Sequence, residues 1–144
     1  MAASKLRIYH KLQIAAHRVQ KAADRAVFAA AGVSTAQEAV LSIVAAQGPI
    51  TQRAVARQLG LNESGMTAMT NRLLSMRLLE RLRDENDARA WFLRLTLEGR
   101  TALKRIESPF RGVNQTIERA LDERELTLLA EYLSRIANAF GTER

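Results

Sequence analysis

The apolar positions of this chain recur mostly at helical spacing, with one interruption past its middle. Between Ser4 and Ala31, the residues Tyr9, Leu12, Ala16, Val19, Ala23, Ala26 and Ala30 alternate steps of three and four. That spacing predicts a helix with one apolar seam, and its many alanines let a partner helix approach closely. Gly32 ends it. Ser34 with Gln37, or Thr35 with Glu38, offers a capping box for a second helix, which faces Ala39, Val40, Ile43 and Val44 inward. Gly48-Pro49 stops it. Thr51 caps a third helix with Val55, Ala56 and Leu59 inward, and Gly60 closes it. Asn62 caps a fourth, whose buried stripe is Met66, Met69, Leu73 and Met76.

After Arg77 the period changes. "LLERL" and "AWFLRL" are short apolar runs flanking the charged segment that opens "RDENDAR", and two such runs predict a β-hairpin with a long polar connection. Thr96 caps a further helix, which Ser108-Pro109 either kinks or restarts. Asp122 and Glu125 resemble a capping box for the last helix, where Leu126, Leu129, Leu133, Ile136 and Phe140 form a second seam. Helices with such stripes need a partner to bury them, either each other or their copies in a second chain.

Composition narrows the possibilities. The 144 residues fit one domain with helical extensions, and 47% apolar with only 5% aromatic residues favours helices over a sandwich or barrel. Cysteine is absent, which excludes a disulfide framework, a zinc ribbon and a thiol redox switch, and suits a reducing compartment. No apolar run approaches the roughly 18 residues of a membrane span. Residues 1–23 carry five basic residues and no acid, as transit peptides do, but Ser4 is the only serine there and the apolar spacing runs on into later helix. A retained first helix is therefore expected, in a cytoplasmic protein.

The net charge is +7, of which residues 1–50 carry +4, residues 51–95 carry +3, and residues 96–144 balance. A basic face attracts polyanions such as nucleic acid or acidic lipid, although many basic proteins bind neither.

The order helix, helix, helix, hairpin over residues 34–96 is that of a winged helix-turn-helix, with the two short helices meeting at the tight "LGLN" turn of residues 59–62. With its stripe buried, the fourth helix leaves Ser64, Thr67, Ala68, Asn71, Arg72 and Ser75 outside. In a major groove Asn71 can pair with adenine, Arg72 can reach guanine or phosphate, and Ala68 can touch a thymine methyl. The bland alternative is a solvated helix face, which usually carries more Glu and Lys. Only Glu63 is acidic here, at the end that a helix dipole favours.

The stretch "TQRAVARQLGLNESGMTAMTNRLLSMRLLERLRDENDARAWFLRLTLEGRTAL" resembles the core of the MarR (multiple antibiotic resistance regulator) family of bacterial transcription regulators. The most specific match is the D-x-R of Asp87-Ala88-Arg89, followed by Leu95-Thr96 and then Glu98-Gly99. The flanking helices also fit, so the resemblance covers nearly the whole chain. It implies a mainly α fold with a small β-hairpin: a winged helix-turn-helix over residues 34–96, with residues 1–33 and 97–144 interlocking as a dimerisation region.

In such regulators the charged loop is a wing whose tip puts an arginine into the minor groove, where the potential is strongly negative. Arg89 matches that arginine, and Asp87 matches the acid that braces the wing by pairing with a nearby basic group. One of Trp91 and Phe92 is then expected to anchor the hairpin on the core. The implied DNA contacts are Gln52, Arg53, Ser64, Thr67, Ala68, Asn71, Arg72 and Arg89. Two features depart from the family pattern. Arg77 stands where the helix usually ends in Gly, so the turn is expected to be reshaped. Gly65 sits inside the fourth helix, where it costs about 1 kcal/mol relative to Ala.

The resemblance further implies a homodimer on an approximately palindromic duplex operator, acting as a repressor released by a lipophilic or aromatic small molecule. His10 and His17, seven apart on the first helix near Arg18, are weak candidates to line a ligand site; without cysteine or an acid cluster they make a poor metal site. No cofactor or metal is expected, and no membrane partner. No nucleophile–base set, paired carboxylates or Gly-rich phosphate loop points to an enzyme. The competing reading is a winged-helix module that binds a protein partner.

Overall fold

A computed structural model describes residues 5–87 and 89–141; Ser4, the expected start of the first helix, and Ala88, inside the wing motif, lie outside the described residues. Among the described residues six helices and three strands follow the expected order. They are α1 (Ile8–Ala31), α2 (Thr35–Gln47), β1 (Ile50–Thr51), α3 (Gln52–Leu59), α4 (Glu63–Ser75), β2 (Leu79–Arg83), β3 (Trp91–Leu95), α5 (Leu97–Ala120) and α6 (Glu123–Ala139). The fold is thus mainly helical with a small antiparallel sheet. The chain divides into two compact units, residues 1–110 and residues 111–144.

Apart from Arg7, which starts α1 at φ 49° with no side-chain cap bond, the N-caps are those that the residue types favour. Gly32 takes φ 70° at the end of α1, and Ser34 with Gln37 closes the capping box of α2 rather than Thr35 with Glu38. Thr51 Oγ1 accepts the Ala54 N–H at 3.2 Å, and Gly60 ends α3 at φ 65°. Asp122 and Glu125 form the capping box of α6. Thr35 serves a different partner: its N–H and hydroxyl both donate to Asp24 Oδ1, at 2.9 and 2.8 Å, while Gln20 donates to the other carboxylate oxygen at 3.2 Å. Asp24 thereby ties α1 to the first turn of α2, and those hydrogen bonds, the Thr35 N–H foremost, hold its carboxyl below the ordinary carboxylate range.

One core serves the first unit. Val27 of α1, Val33, Val40, Leu41 and Val44 meet Val55 of α3, Met66 and Leu73 of α4, the strand residues Leu79, Leu93 and Leu95, and Ala102 and Ile106 of α5. Leu41 and Thr70 are buried positions that the expected stripes omitted. Thr70 falls between Met66 and Leu73 on the inward side of α4, so helix geometry buries it whatever its polarity.

Three expectations need correction. The hairpin is part of a three-stranded sheet in the order β1-β3-β2, because Ile50 and Thr51 pair with Leu93 and Phe92. Two residues are too few to show a strand period. Of the kink or restart expected at Ser108-Pro109, the restart does not occur: α5 runs through as one helix with Pro109 inside it. The hairpin is anchored by neither Trp91 nor Phe92: Leu93 is fully buried, Phe92 half-buried, and Trp91 is 41% exposed.

The turn leaving α4 is kept, not reshaped. Arg77 adopts φ 60°, the left-handed conformation glycine would take, and Leu78 N–H reaches back to Leu73 O at 3.0 Å. Thr96 then clasps this turn, donating its hydroxyl to Arg77 O at 2.6 Å and its N–H to Leu78 O at 3.1 Å. Gly99 passes so close that a Cβ there would strike the Leu78 carbonyl oxygen and come within 2.7 Å of Leu95 Cδ1.

The first expected outcome concerns that approach. Gly99→Ala destabilises the protein by more than about 2 kcal/mol, read as a fall in thermal midpoint, because backbone rather than a flexible side chain must move. The second concerns Asp24. Its folded pKa is lowered, so its contribution is complete above 3.8 and is lost as pH falls from 3.8 through the folded value. Asp24→Ala costs on the order of 1 kcal/mol at neutral pH, and its denaturation curve converges with the parent's in acid.

Candidate nucleic-acid interface

The outward stripe of α4 is built by its period and its cap. Ser64, Thr67, Ala68, Asn71, Arg72 and Ser75 all lie exposed on one face, opposite Met66, Thr70 and Leu73. At the start of this helix Asn62 Oδ1 accepts the Gly65 N–H at 2.7 Å. A Cβ on residue 65 would sit 3.1 Å from that same oxygen, so Gly65 leaves the cap uncrowded. Met69 and Met76 complete the inner stripe as half-buried residues.

Helix α3 braces α4 by a polar tie. Gln52 Nε2 donates to Thr67 Oγ1 at 3.1 Å, which joins two of the expected contact residues to each other. Gln52 is half-buried and Arg53 beside it is exposed.

The wing explains how the most hydrophilic segment of the chain stays ordered enough to project. Its acids cap backbone: Asp84 Oδ1 accepts the Asn86 N–H at 2.9 Å, and Asp87 Oδ1 accepts the Arg89 N–H at 2.9 Å. The backbone closes with Ala90 N–H on Asp87 O at 3.0 Å and Asp84 N–H on Ala90 O at 3.2 Å. The expected pairing of Asp87 with a basic side chain is absent among the described residues, where it holds a backbone N–H instead. Arg89 is exposed.

Between the wing, α3 and the start of α4 lies an open cleft of about 680 Å³. It brings together Gln52, Arg53, Asp87 and Arg89 with Arg57, Glu63, Met66 and Trp91. Three guanidiniums on its walls against two carboxylates make it a place for negative charge.

Two basic residues on this face carried no signal that was used in the sequence. Arg81 and Arg83 lie on β2, and their guanidinium carbons stand 5.9 and 5.2 Å from the centre of the Trp91 ring. Arg81 Nη2 also donates to Asn71 Oδ1 at 3.1 Å. Their alternation with Leu82 was the available clue, since residues two apart on a strand share a face. On the outer face Arg94 pairs with Glu80 at 2.6 Å, both about half exposed.

The histidines are elsewhere. His10 and His17 are exposed on α1, and the His10 ring lies edge-to-face with that of Tyr9, ring centres 5.4 Å apart. Among the described residues no group of three or more His, Cys, Asp or Glu could hold a metal ion. Among the described residues no single helix is long and apolar enough to cross a membrane.

Comparison with known proteins adds the following. Residues 31–90 match a model of the MarR family. No curated protein matches the chain. Among solved structures, the chain is similar to the PcaV transcriptional regulator from Streptomyces coelicolor, with 29% identity over 88% of this chain and 95% of that one, at a TM-score of 0.75. PcaV in complex with its natural ligand is also similar, at 29% identity over 86% and 89% of the two chains and a TM-score of 0.71. MepR of S. aureus in complex with DNA shares the fold at a TM-score of 0.80, with 21% identity over 91% of this chain and 96% of that one.

Arg77 supplies a test of how α4 is terminated. Arg77→Gly relieves the left-handed strain and raises stability by up to about 1 kcal/mol, after the greater freedom of glycine in the unfolded chain is set against it. Chemical denaturation reads this directly, and a loss of stability would show that the Arg77 side chain holds the turn.

Proposed function

We propose that the protein is a transcriptional regulator of the MarR type that reads duplex DNA in sequence, a reading supported by the match of residues 31–90 to a model of that family. The observation that carries this is the outer face of α4: short hydroxyls, a methyl, an amide and one guanidinium, all exposed, together with a wing on which Arg89 is exposed. A major groove is wide enough to admit such a helix, and each of these groups matches a base-edge donor, acceptor or methyl.

In this reading α4 lies in the major groove. Ser64, Thr67, Ala68, Asn71 and Arg72 face base edges, while Gln52 and Arg53 sit at the start of α3 against the backbone. The wing follows the backbone, held in shape by Asp87, and Arg89 enters the adjacent minor groove. The exposed apolar residues of α1, among them Tyr9, Ile14 and Val19, and those of α6, among them Leu133, Ile136 and Phe140, are covered by a second copy of the chain. Residues 1–33 and 97–144 form that dimerisation region, and residues 34–96 the DNA-binding part. A two-fold dimer calls for an approximate palindrome with half-sites about 10 base pairs apart.

The protein acts as a cytoplasmic, non-catalytic repressor that occupies a promoter until a lipophilic or aromatic small molecule releases it. The existence of a natural ligand for PcaV and of a DNA complex of MepR supports this assignment of partners. His10 and His17 remain candidates to line the effector site, with no cofactor required.

The test is selection of duplexes from a random pool, followed by titration at two salt concentrations. A palindrome is expected to emerge. Arg72→Ala weakens binding to it about 10- to 100-fold, the loss of one good base contact. Arg89→Ala weakens binding to all duplexes and lowers the salt dependence by about one ion. Binding unchanged in both variants would favour the protein-partner reading instead.

A further inference from the structure

Arg81 bridges the two elements that face DNA in the reading above, on which this inference rests. It lies on strand β2 of the wing, exposed, and its Nη2 donates to Asn71 Oδ1 on α4 at 3.1 Å. A guanidinium has donors and no acceptor, so the Asn71 atom turned toward it must be the amide oxygen. The amide nitrogen then points away. Asn71 is exposed and would otherwise be at liberty to present either end of its amide.

The guanidinium is itself held. Its carbon stands 5.9 Å from the Trp91 ring centre, with Arg83 at 5.2 Å from the same ring. An isolated hydrogen bond between two exposed side chains is weak, because water replaces it at little cost. A planar group placed against an indole, with its donors aimed along a helix face, loses less freedom on making that bond.

We propose that Arg81 is a positioning residue for base recognition: it orients the Asn71 amide so that its N–H donors address the groove, and it couples the wing to the recognition helix. The base atoms that suit such donors are acceptors of the major-groove edge, namely purine N7, guanine O6 or thymine O4. Arg81 therefore contributes to specificity without itself touching a base.

Arg83 provides the control. It carries the same charge on the same face of the same strand and the same ring, but makes no hydrogen bond to α4 among the described residues. Arg81→Met, Arg83→Met, Asn71→Ala and the double variant Arg81→Met/Asn71→Ala are titrated with the duplex selected by the unsubstituted protein. Each is also titrated with duplexes changed at one base pair, at two salt concentrations. Arg83→Met is expected to weaken binding to every duplex by the same factor, as loss of a diffuse charge does. Arg81→Met is expected to reduce discrimination at the base pair that Asn71 reads by about fivefold or more. In the Asn71→Ala background, Arg81→Met changes discrimination no further.

Two results overturn the proposal alone: Arg81→Met behaving like Arg83→Met, with uniform loss and a lower salt dependence, or its effect on discrimination persisting in full without Asn71. A failure of the groove reading itself is told apart, because the unsubstituted protein would then select no sequence, and this proposal would fall with it.

Discussion

The structure of the first unit depends on one short stretch of backbone, the two carbonyls of Arg77 and Leu78. Helix α4 must end, reverse and feed a strand within a few residues, and each orphan carbonyl there needs a donor. Thr96 supplies two, its hydroxyl to Arg77 O and its N–H to Leu78 O. The same hydroxyl accepts the Gly99 N–H at 3.0 Å and so begins helix α5. One side chain therefore joins the end of α4, the root of the wing and the start of α5. Gly99 is also bound into this arrangement by space, since any Cβ would collide with Leu78 O.

Arg77 shows which force prevails at that site. Left-handed backbone costs a non-glycine residue roughly 1–2 kcal/mol. The burial of Leu78 and Leu79 on either side of the sheet's root, together with the Thr96 bonds, exceeds that cost. The turn is thus set by what it connects and not by the residue that occupies it.

Away from the core the same economy of polar contacts appears in a different form. Asp84 and Asp87 use their carboxylates on backbone N–H groups of the wing. Gln52 holds Thr67, and Arg81 holds Asn71. With these acids turned to backbone, Arg89 of the same loop has no ion-pair partner among the described residues, so its field extends outward. For the proposed contact with a polyanion, that arrangement gives both attraction and a fixed orientation. The indole of Trp91 fits the same scheme, since its place is beside two guanidiniums and not in the core.

The sequence by itself determined the helices, their caps and the inner and outer faces of α4, because these follow from local rules: a period of 3.6, a short polar side chain on an open N–H, a glycine at positive φ. Ser34, Asn62, Asp122 and Gly32 could all be read in this way. The D-x-R motif located the wing by likeness. Only the tertiary structure decided that Ile50 and Thr51 form a third strand, that Leu93 and not an aromatic residue anchors the hairpin, that α5 passes through Pro109, and that Arg77 keeps a glycine's conformation. It also decided that Asp87 holds backbone and that Arg81 reaches Asn71. Apart from the Asp87 bond, which joins residues two apart, each of these depends on partners 10 or more residues away, or on packing that offsets a local penalty, and no local pattern encodes either.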